Sequence, residues 1–178
     1  MDIRKDALLS ILWLCVGPLG LWAQEAAKDQ PVDLPKYLEL TPRIGTGGQP
    51  TSAGFRLLAE KGYKAVINLR TANEKFDLAV EEKAIADLGL KYYNIPVVGK
   101  EPREEQATAF LKLMEDLRDE RVFVHCAAAN RVGGFMIIQR VLKDGIPLEK
   151  AEEEARQIGL RSENLLKFAR DFISRQPH

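Results

Sequence analysis

The chain is poor in the residues that most often carry chemistry. Its 178 residues include two cysteines, two histidines and two tryptophans. The histidines are His125 and the terminal His178, and no cluster of ligands has the spacing of a metal site, so metal-dependent hydrolysis is disfavoured and no cofactor is expected. There is no excess charge either: 26 Lys and Arg face 26 Asp and Glu. That balance argues against nucleic acid or an anionic membrane surface as a partner, and any anion site must be local. No repeat or low-complexity tract is visible.

A long hydrophobic run is missing outside the N-terminus. There, Arg4 and Lys5 precede an apolar stretch from Ala7 to Trp22, followed by Ala23 and Gln24. The layout is that of a secretory signal peptide cleaved after Ala23. The stretch is short against the roughly 20 residues of a spanning helix, and Gly17, Pro18 and Gly20 interrupt it. Residues 1–23 are therefore expected to direct the protein to the periplasm or outside, with no membrane association after cleavage; an uncleaved N-terminal anchor is the alternative. Residues 24–36, with Pro31 and Pro35, read as a linker, and 37–178 as one domain. Cleavage removes Cys15 and leaves Cys126 alone, so no internal disulfide is expected.

Within that domain, apolar runs alternate with helical patterns. "KYLELTPRIGTGGQPT" reads as one or two short strands and a glycine-rich turn. Thr51 or Ser52 caps a helix that stops at Gly62. "KAVINLR", "LKYYNIPV" and "RVFVHC" read as strands. Helices are expected over 74–88, over "REEQATAFLKLMEDLRDE", after Cys126, and over about 148–158 and 163–175. The helix after Cys126 carries Val132, Phe135, Met136, Ile137, Ile138, Val141 and Leu142 around its whole circumference, so it should be buried. Alternation of this kind implies an α/β domain with a mainly parallel central sheet flanked by helices. Ligands of such sheets bind beyond the carboxyl ends of strands. Arg70, Glu101 and Cys126 follow three of those ends.

"VFVHCAAANRVGGF" is the most informative stretch. A strand runs into His125 and Cys126, three alanines and Asn130 leave the backbone unscreened, and Arg131 opens a helix. Main-chain amides of such a loop can form an anion nest, strengthened by the positive end of the helix. A guanidinium adds a planar fork for oxyanions, and the same field favours thiolate over thiol. The alternative for Cys126 is an inert, buried thiol.

This His-Cys-loop-Arg arrangement resembles the active-site signature of the protein tyrosine and dual-specificity phosphatase superfamily. It resembles most the phosphatase domain of the β-lactamase-hydrolase-like branch. "GGQPT", "GYKAVINLR", "YNIPV", "VHCAAANRVG" and "EEARQIGL" look like landmarks of that family, in its order, over residues 36 to 160. The resemblance implies a cysteine-phosphatase-like fold and a phosphorylated substrate, protein or small molecule. Cys126 would be the nucleophile that forms a cysteinyl-phosphate, and Arg131 the phosphate clamp. The amides of Ala127, Ala128, Ala129, Asn130 and Arg131 would form the cradle. His125 would hydrogen-bond the loop or be a core histidine. Arg70 would widen the anion pocket or pair with Glu74.

The chain departs from the superfamily pattern at four places. Four residues, not five, separate Cys126 from Arg131. Val132 stands where a hydroxyl residue often assists the leaving thiolate. Ala129 falls where the turn needs φ > 0, a conformation that costs a non-glycine residue of order 1 kcal/mol. The segment "VGKEPREEQ" has no Asp, which leaves Glu101 as the candidate general acid or as a solvated loop residue, and Lys100 as a candidate substrate contact. Two other functions fit parts of the pattern. A rhodanese-like sulfurtransferase also places Cys at a strand end, before a six-residue loop. A non-catalytic anion-binding module would tolerate Val132 and the missing Asp.

The leader assignment has a direct check. N-terminal sequencing of protein recovered from a secreting host is expected to begin at Gln24; a chain that still begins at Met1 and pellets with membranes establishes the anchor instead.

Overall fold

A computed structural model describes residues 32–74 and 77–176. The leader, most of the 24–36 linker, Phe76 of the expected 74–88 helix, and His178 lie outside the described residues. Strand β5 (Val122–His125) sits at the centre of the sheet, and all four of its residues are buried. Its neighbours are β2 (Ile44–Gly47) and β3 (Ala65–Asn68), both parallel to it. Beyond β3 lies β4 (Lys91–Asn94), also parallel, and beyond β2 the two-residue β1 (Leu38–Glu39), antiparallel. The order is β1-β2-β5-β3-β4. It bears out the α/β expectation of a mainly parallel sheet with helices on both faces.

Side chains alternate along each strand, so the sheet has two distinct cores. Val122, Val124 and Cys126 join one cluster with Phe110, Phe135, Ile158 and Leu165. Phe123 joins the other with Phe55, Leu58, Tyr63 and Ile85. Helices α1 (Ser52–Glu60) and α2 (Leu78–Ala86) supply the second core. Helices α3 (Glu104–Asp116), α4 (Asn130–Leu142), α5 (Leu148–Ile158) and α6 (Glu163–Ser174) supply the first.

Helix α4 is buried from Val132 to Gln139, as its all-round hydrophobicity demands. Gly133 lets α5 and its connection approach closely: a Cβ there would stand 2.8 Å from Leu160 Cβ and 2.9 Å from the Ala155 carbonyl. Of the two candidate caps of α1, Thr51 serves, accepting from the Gly54 amide at 3.1 Å.

One expected element differs. The helix read over 74–88 begins at Leu78, because Asp77 accepts from the amides of Ala79 and Val80 and caps it there. Upstream, Thr71–Glu74 is a turn instead, closed by the Glu74 amide on the Thr71 carbonyl at 3.3 Å. Glu74 is thereby freed from a helical surface and projects toward Arg131 of α4. Among the described residues, no helix is long and apolar enough to cross a membrane.

Substituting Gly133 tests the packing that holds the mouth of α4. Gly133→Val is expected to lower unfolding free energy by about 1–3 kcal/mol in urea melts, the usual cost of overpacking; an unchanged midpoint would mean that α5 does not bear on α4 as described.

Candidate active site

Cys126 follows the central strand and is 1% exposed, yet its sulfur side lines a cavity of about 480 Å³. Ala127, Ala128, Asn130 and Arg131 line the same cavity, with Thr71 and Glu74 on one flank and Val97, Val98, Gly99 and Lys100 on another. Ser162 and Leu165 of the α5–α6 connection and α6 close it. The cavity therefore lies beyond the carboxyl ends of β3 and β5, where a parallel sheet places its ligands.

The loop is held from behind. The Ala127 carbonyl accepts from the Gln49 amide (3.3 Å) and the Ala129 carbonyl from the Gly133 amide (3.0 Å). The Ala128 carbonyl accepts from Lys36 Nζ (3.1 Å). In a trans peptide the carbonyl and the next N–H point opposite ways, so the Ala128 and Asn130 amides face away from those donors. Among the described residues the amides of Ala127, Ala128, Asn130 and Arg131 donate to no protein acceptor. Asn130 fastens the far end, its Oδ1 accepting from the amides of Arg161 (2.8 Å) and Ser162 (3.2 Å).

Ala129 makes the turn into α4 in the left-handed region, with φ 63° and ψ −3°. The expected strained position is thus the observed one. Its side chain is buried and does not line the cavity. Gly159, at φ 135°, passes directly behind it; a Cβ there would lie 3.1 Å from Ala129 Cβ.

Arg131 is the most constrained side chain of the site. Nη1 donates to Glu74 Oε1 (2.5 Å), the Val97 carbonyl (2.9 Å) and the Leu69 carbonyl (3.1 Å). Nη2 donates to Glu74 Oε2 at 2.8 Å. A guanidinium has five N–H donors. Glu74 and the two carbonyls occupy its Nη1/Nη2 end, leaving Nε–H and the second Nη2–H, two parallel donors along one edge. Arg131 also interacts directly with Cys126. Burial disfavours its charge, but Glu74 and Cys126 outweigh that and push its pKa up. Glu74 is correspondingly held at a pKa of about 2, chiefly by the Arg131 hydrogen bond, against some desolvation and with help from the Thr71 amide.

Three residues expected at the site stand elsewhere. His125 is 0% exposed and lies on the opposite face of the sheet from Cys126, because adjacent residues of a strand alternate. Its ring packs against Phe55 and Phe123, and neither nitrogen has a hydrogen-bond partner among the described residues, so it does not bond the loop. Glu101 does not line the Cys126 cavity; it faces a neighbouring hollow with Lys167, Phe168 and Asp171. The turn that carries it, with the Glu101 amide on the Val98 carbonyl at 2.8 Å, directs the residue outward. Arg70 is buried behind Glu74, donating from Nε to Glu74 Oε2 (3.3 Å) and from Nη2 to the Glu74 carbonyl (3.0 Å); the pairing with Glu74 is the observed alternative of the two expected for it, and Arg70 supports the pocket wall rather than widening the pocket.

The sequence reading missed Glu74 as the tether of Arg131, having paired it only with Arg70. It also missed Glu81, whose place three residues after Leu78 and four before Ile85 puts an acid on the buried side of α2. That pattern was the available signal.

A sheet of this order with a cysteine–arginine loop at its central strand is the architecture of the cysteine phosphatases. The chain belongs to the family described as PTP-NADK, a DSP-PTPase phosphatase fused to NAD+ kinase, whose model matches residues 29–167. A β-lactamase hydrolase-like protein of Xylella fastidiosa is 27% identical over 120 residues, which is 66% of this chain and 28% of that protein. The chain thus spans little more than a quarter of that relative. One structure described as a 'putative phosphatase (DUF442)' from Shewanella putrefaciens superposes with a TM-score of 0.73 at 23% identity, covering 82% of this chain and 95% of the other. Pseudomonas aeruginosa TpbA in complex with pTyr superposes with a TM-score of 0.65 at 16% identity, covering 78% and 86%. Likeness at these identities establishes the fold.

Two measurements address the site geometry. Ala129→Gly is expected not to destabilise the protein and to raise its unfolding free energy by up to about 1 kcal/mol, since relief of the left-handed alanine offsets glycine's entropy; a loss above about 1 kcal/mol would contradict the strained turn. Glu74 has a folded pKa of about 2, below its ordinary value of about 4.3. Its stabilisation is therefore complete above about pH 5 and is lost as pH falls toward about 2. The urea-midpoint gap between wild type and Glu74→Gln should be widest near neutrality and shrink through that window. A gap independent of pH would show that the ionised carboxylate is not its source.

Proposed function

We propose that this domain is a cysteine-dependent phosphatase acting on phosphomonoesters. The observation that carries the reading is the state of Arg131: its outer donors are fixed by Glu74, Leu69 and Val97, and its remaining two-donor edge is left for an oxyanion near Cys126. The Cys126 thiolate attacks phosphorus and the P–O bond to the leaving group breaks. The negative charge on the phosphoryl oxygens is met by loop amides and the Arg131 fork. Water then attacks the cysteinyl-phosphate, the S–P bond breaks, and Cys126 is regenerated with release of phosphate. Val97, Val98 and Leu165 offer apolar wall to the body of an ester, and Lys100 adds a positive charge at the mouth. An aryl phosphate, the chemistry named for the TpbA complex, fits that lining.

The leaving group is where this site is least equipped. Among the described residues, Glu74 is the one carboxylate lining the cavity, and its pKa near 2 keeps it ionised. Glu101 faces elsewhere. Esters whose leaving group needs no proton are the substrates expected to turn over fast.

A series of aryl phosphates with leaving-group pKa from about 7 to about 10, the tyrosine value, tests both statements. Wild type is expected to hydrolyse the activated end, with kcat/KM falling steeply along the series, and Cys126→Ser to lose at least about a thousandfold. Equal rates in wild type and Cys126→Ser would remove the proposal. Thiocyanate formation from thiosulfate and cyanide would replace it with a sulfurtransferase, and phosphate binding without turnover with a binding module.

A further inference from the structure

The polar side chains behind the cavity form one connected path. Glu81, from α2, is 4% exposed. Its Oε1 accepts from Asn68 Nδ2 (2.6 Å) and from the Tyr92 hydroxyl (3.1 Å), and stands 3.6 Å from His125 Nε2. Its Oε2 accepts from Gln49 Nε2 at 2.5 Å. Gln49 Oε1 accepts from Arg70 Nη1 at 2.8 Å. Arg70 in turn bonds Glu74 by Nε and Nη2, and Glu74 holds both terminal nitrogens of Arg131. The path runs from Glu81, whose carboxylate stands near the unbonded imidazole on one face of β5, to the guanidinium on the other, around the ends of β3 and β5. Gln49, Arg70 and Glu81 do not line the cavity.

We propose that Gln49 and Glu81 are positioning residues that set Arg131, through Arg70 and Glu74, and so tune the reactivity of Cys126. The inference rests on the reading of Cys126 as the reactive thiolate. Its physical core is the direction of one amide. Gln49 donates to a carboxylate at one end and accepts from a guanidinium at the other, with the Pro50 carbonyl (3.3 Å) also taking its NH₂ group. Reversed, it would set oxygen against carboxylate and NH₂ against guanidinium, repulsive at both ends. Glu81 therefore fixes Gln49, and Gln49 fixes the Nη1 corner of Arg70. Burial pushes the Glu81 carboxyl up, but His125, Gln49 and Tyr92 outweigh it and the group stays ionised. The charges then alternate from Glu81 to Arg70, Glu74 and Arg131 in a largely buried setting, where such coupling is little screened. The two ring nitrogens of buried His125 lack partners, and closing the gap to Glu81 by about half an ångström would bring one within hydrogen-bond range.

The test reads thiol reactivity directly. The rate of Cys126 alkylation by iodoacetamide is measured against pH for wild type, Gln49→Met, Glu81→Gln and Tyr92→Phe, beside kcat/KM on an activated aryl phosphate and urea midpoints. Gln49→Met cuts the path at near-constant volume. It is expected to move the alkylation midpoint up by about one pH unit and to lower kcat/KM roughly tenfold. Glu81→Gln should shift both in the same direction, because it releases the Gln49 amide. Tyr92→Phe removes the hydroxyl's bond to Glu81 and the one it accepts from Asn68 but leaves the path whole, so its midpoint should stay within about 0.3 unit of wild type. An unmoved midpoint in folded Gln49→Met overturns the proposal. So does an equal shift in Tyr92→Phe, which would reduce the effect to general loosening. Alkylation needs no turnover, so the two failures separate. A moved midpoint without hydrolysis in wild type sinks the phosphatase reading alone; Cys126-dependent hydrolysis with an unmoved midpoint sinks the coupling alone.

Discussion

The site depends on a carboxylate and a guanidinium facing each other end to end. Glu74 grips both terminal nitrogens of Arg131, and the Leu69 and Val97 carbonyls hold the same end. Without that grip a long, flexible side chain at the first turn of α4 would sample many rotamers. With it, the ordering cost is met during folding. The absence of Glu74 from the helix expected over 74–88 makes this possible. Had α2 begun at Glu74, its carboxylate would sit on a helical surface. Asp77, by capping three residues later, leaves Glu74 in a turn that points at the strand end.

Strand and helix identities were legible because they follow from periodicity, which is local. The buried character of α4, the parallel sheet and the cysteine at a strand end all came from patterns within a few residues. The left-handed Ala129 came instead from the family resemblance, since loops of that kind usually carry a glycine at this place. Partnerships between segments were not legible in the same way. Glu74 belongs to Arg131, 57 positions away, and no local pattern states that. His125 shows a subtler loss. Adjacency to Cys126 in sequence suggested shared chemistry, but alternation along the strand places the two on opposite faces of the sheet. Glu101 failed for a similar reason: the turn after Val98 decides its direction, and loop direction has no period to read.

The loop illustrates how strain and support are matched. Two non-glycine residues among those described have positive φ, Lys36 at 55° and Ala129 at 63°. They meet behind the same loop, where Lys36 Nζ takes the Ala128 carbonyl and Gly159 lies against both side chains. Such conformations persist only where the surroundings over-determine them. Here the surroundings are three carbonyl contacts, the Asn130 anchor and the wall of α5, and the amides of Ala127, Ala128, Asn130 and Arg131 are left without a protein acceptor. A shorter loop than the superfamily pattern can still form a cradle if each peptide is fixed this firmly.

The balance of charge then explains why binding here must be decided at short range. The chain as a whole is neutral, and the cation nearest the sulfur is already paired with an ionised carboxylate. From a distance of a Debye length, roughly 8 Å in physiological salt, Arg131 and Glu74 look like a dipole, not a positive charge. Long-range steering of anions is accordingly weak. Close in, cancellation fails, because Glu74 lies at the far end of the guanidinium, away from its Nε/Nη2 edge, and Arg131 interacts directly with Cys126. Donors of fixed direction reward a tetrahedral oxyanion that fits them and give little to a diffuse or differently shaped anion. Selectivity at this site is therefore a matter of geometry before it is a matter of charge, and the groups that preserve that geometry count as much as those that touch the substrate.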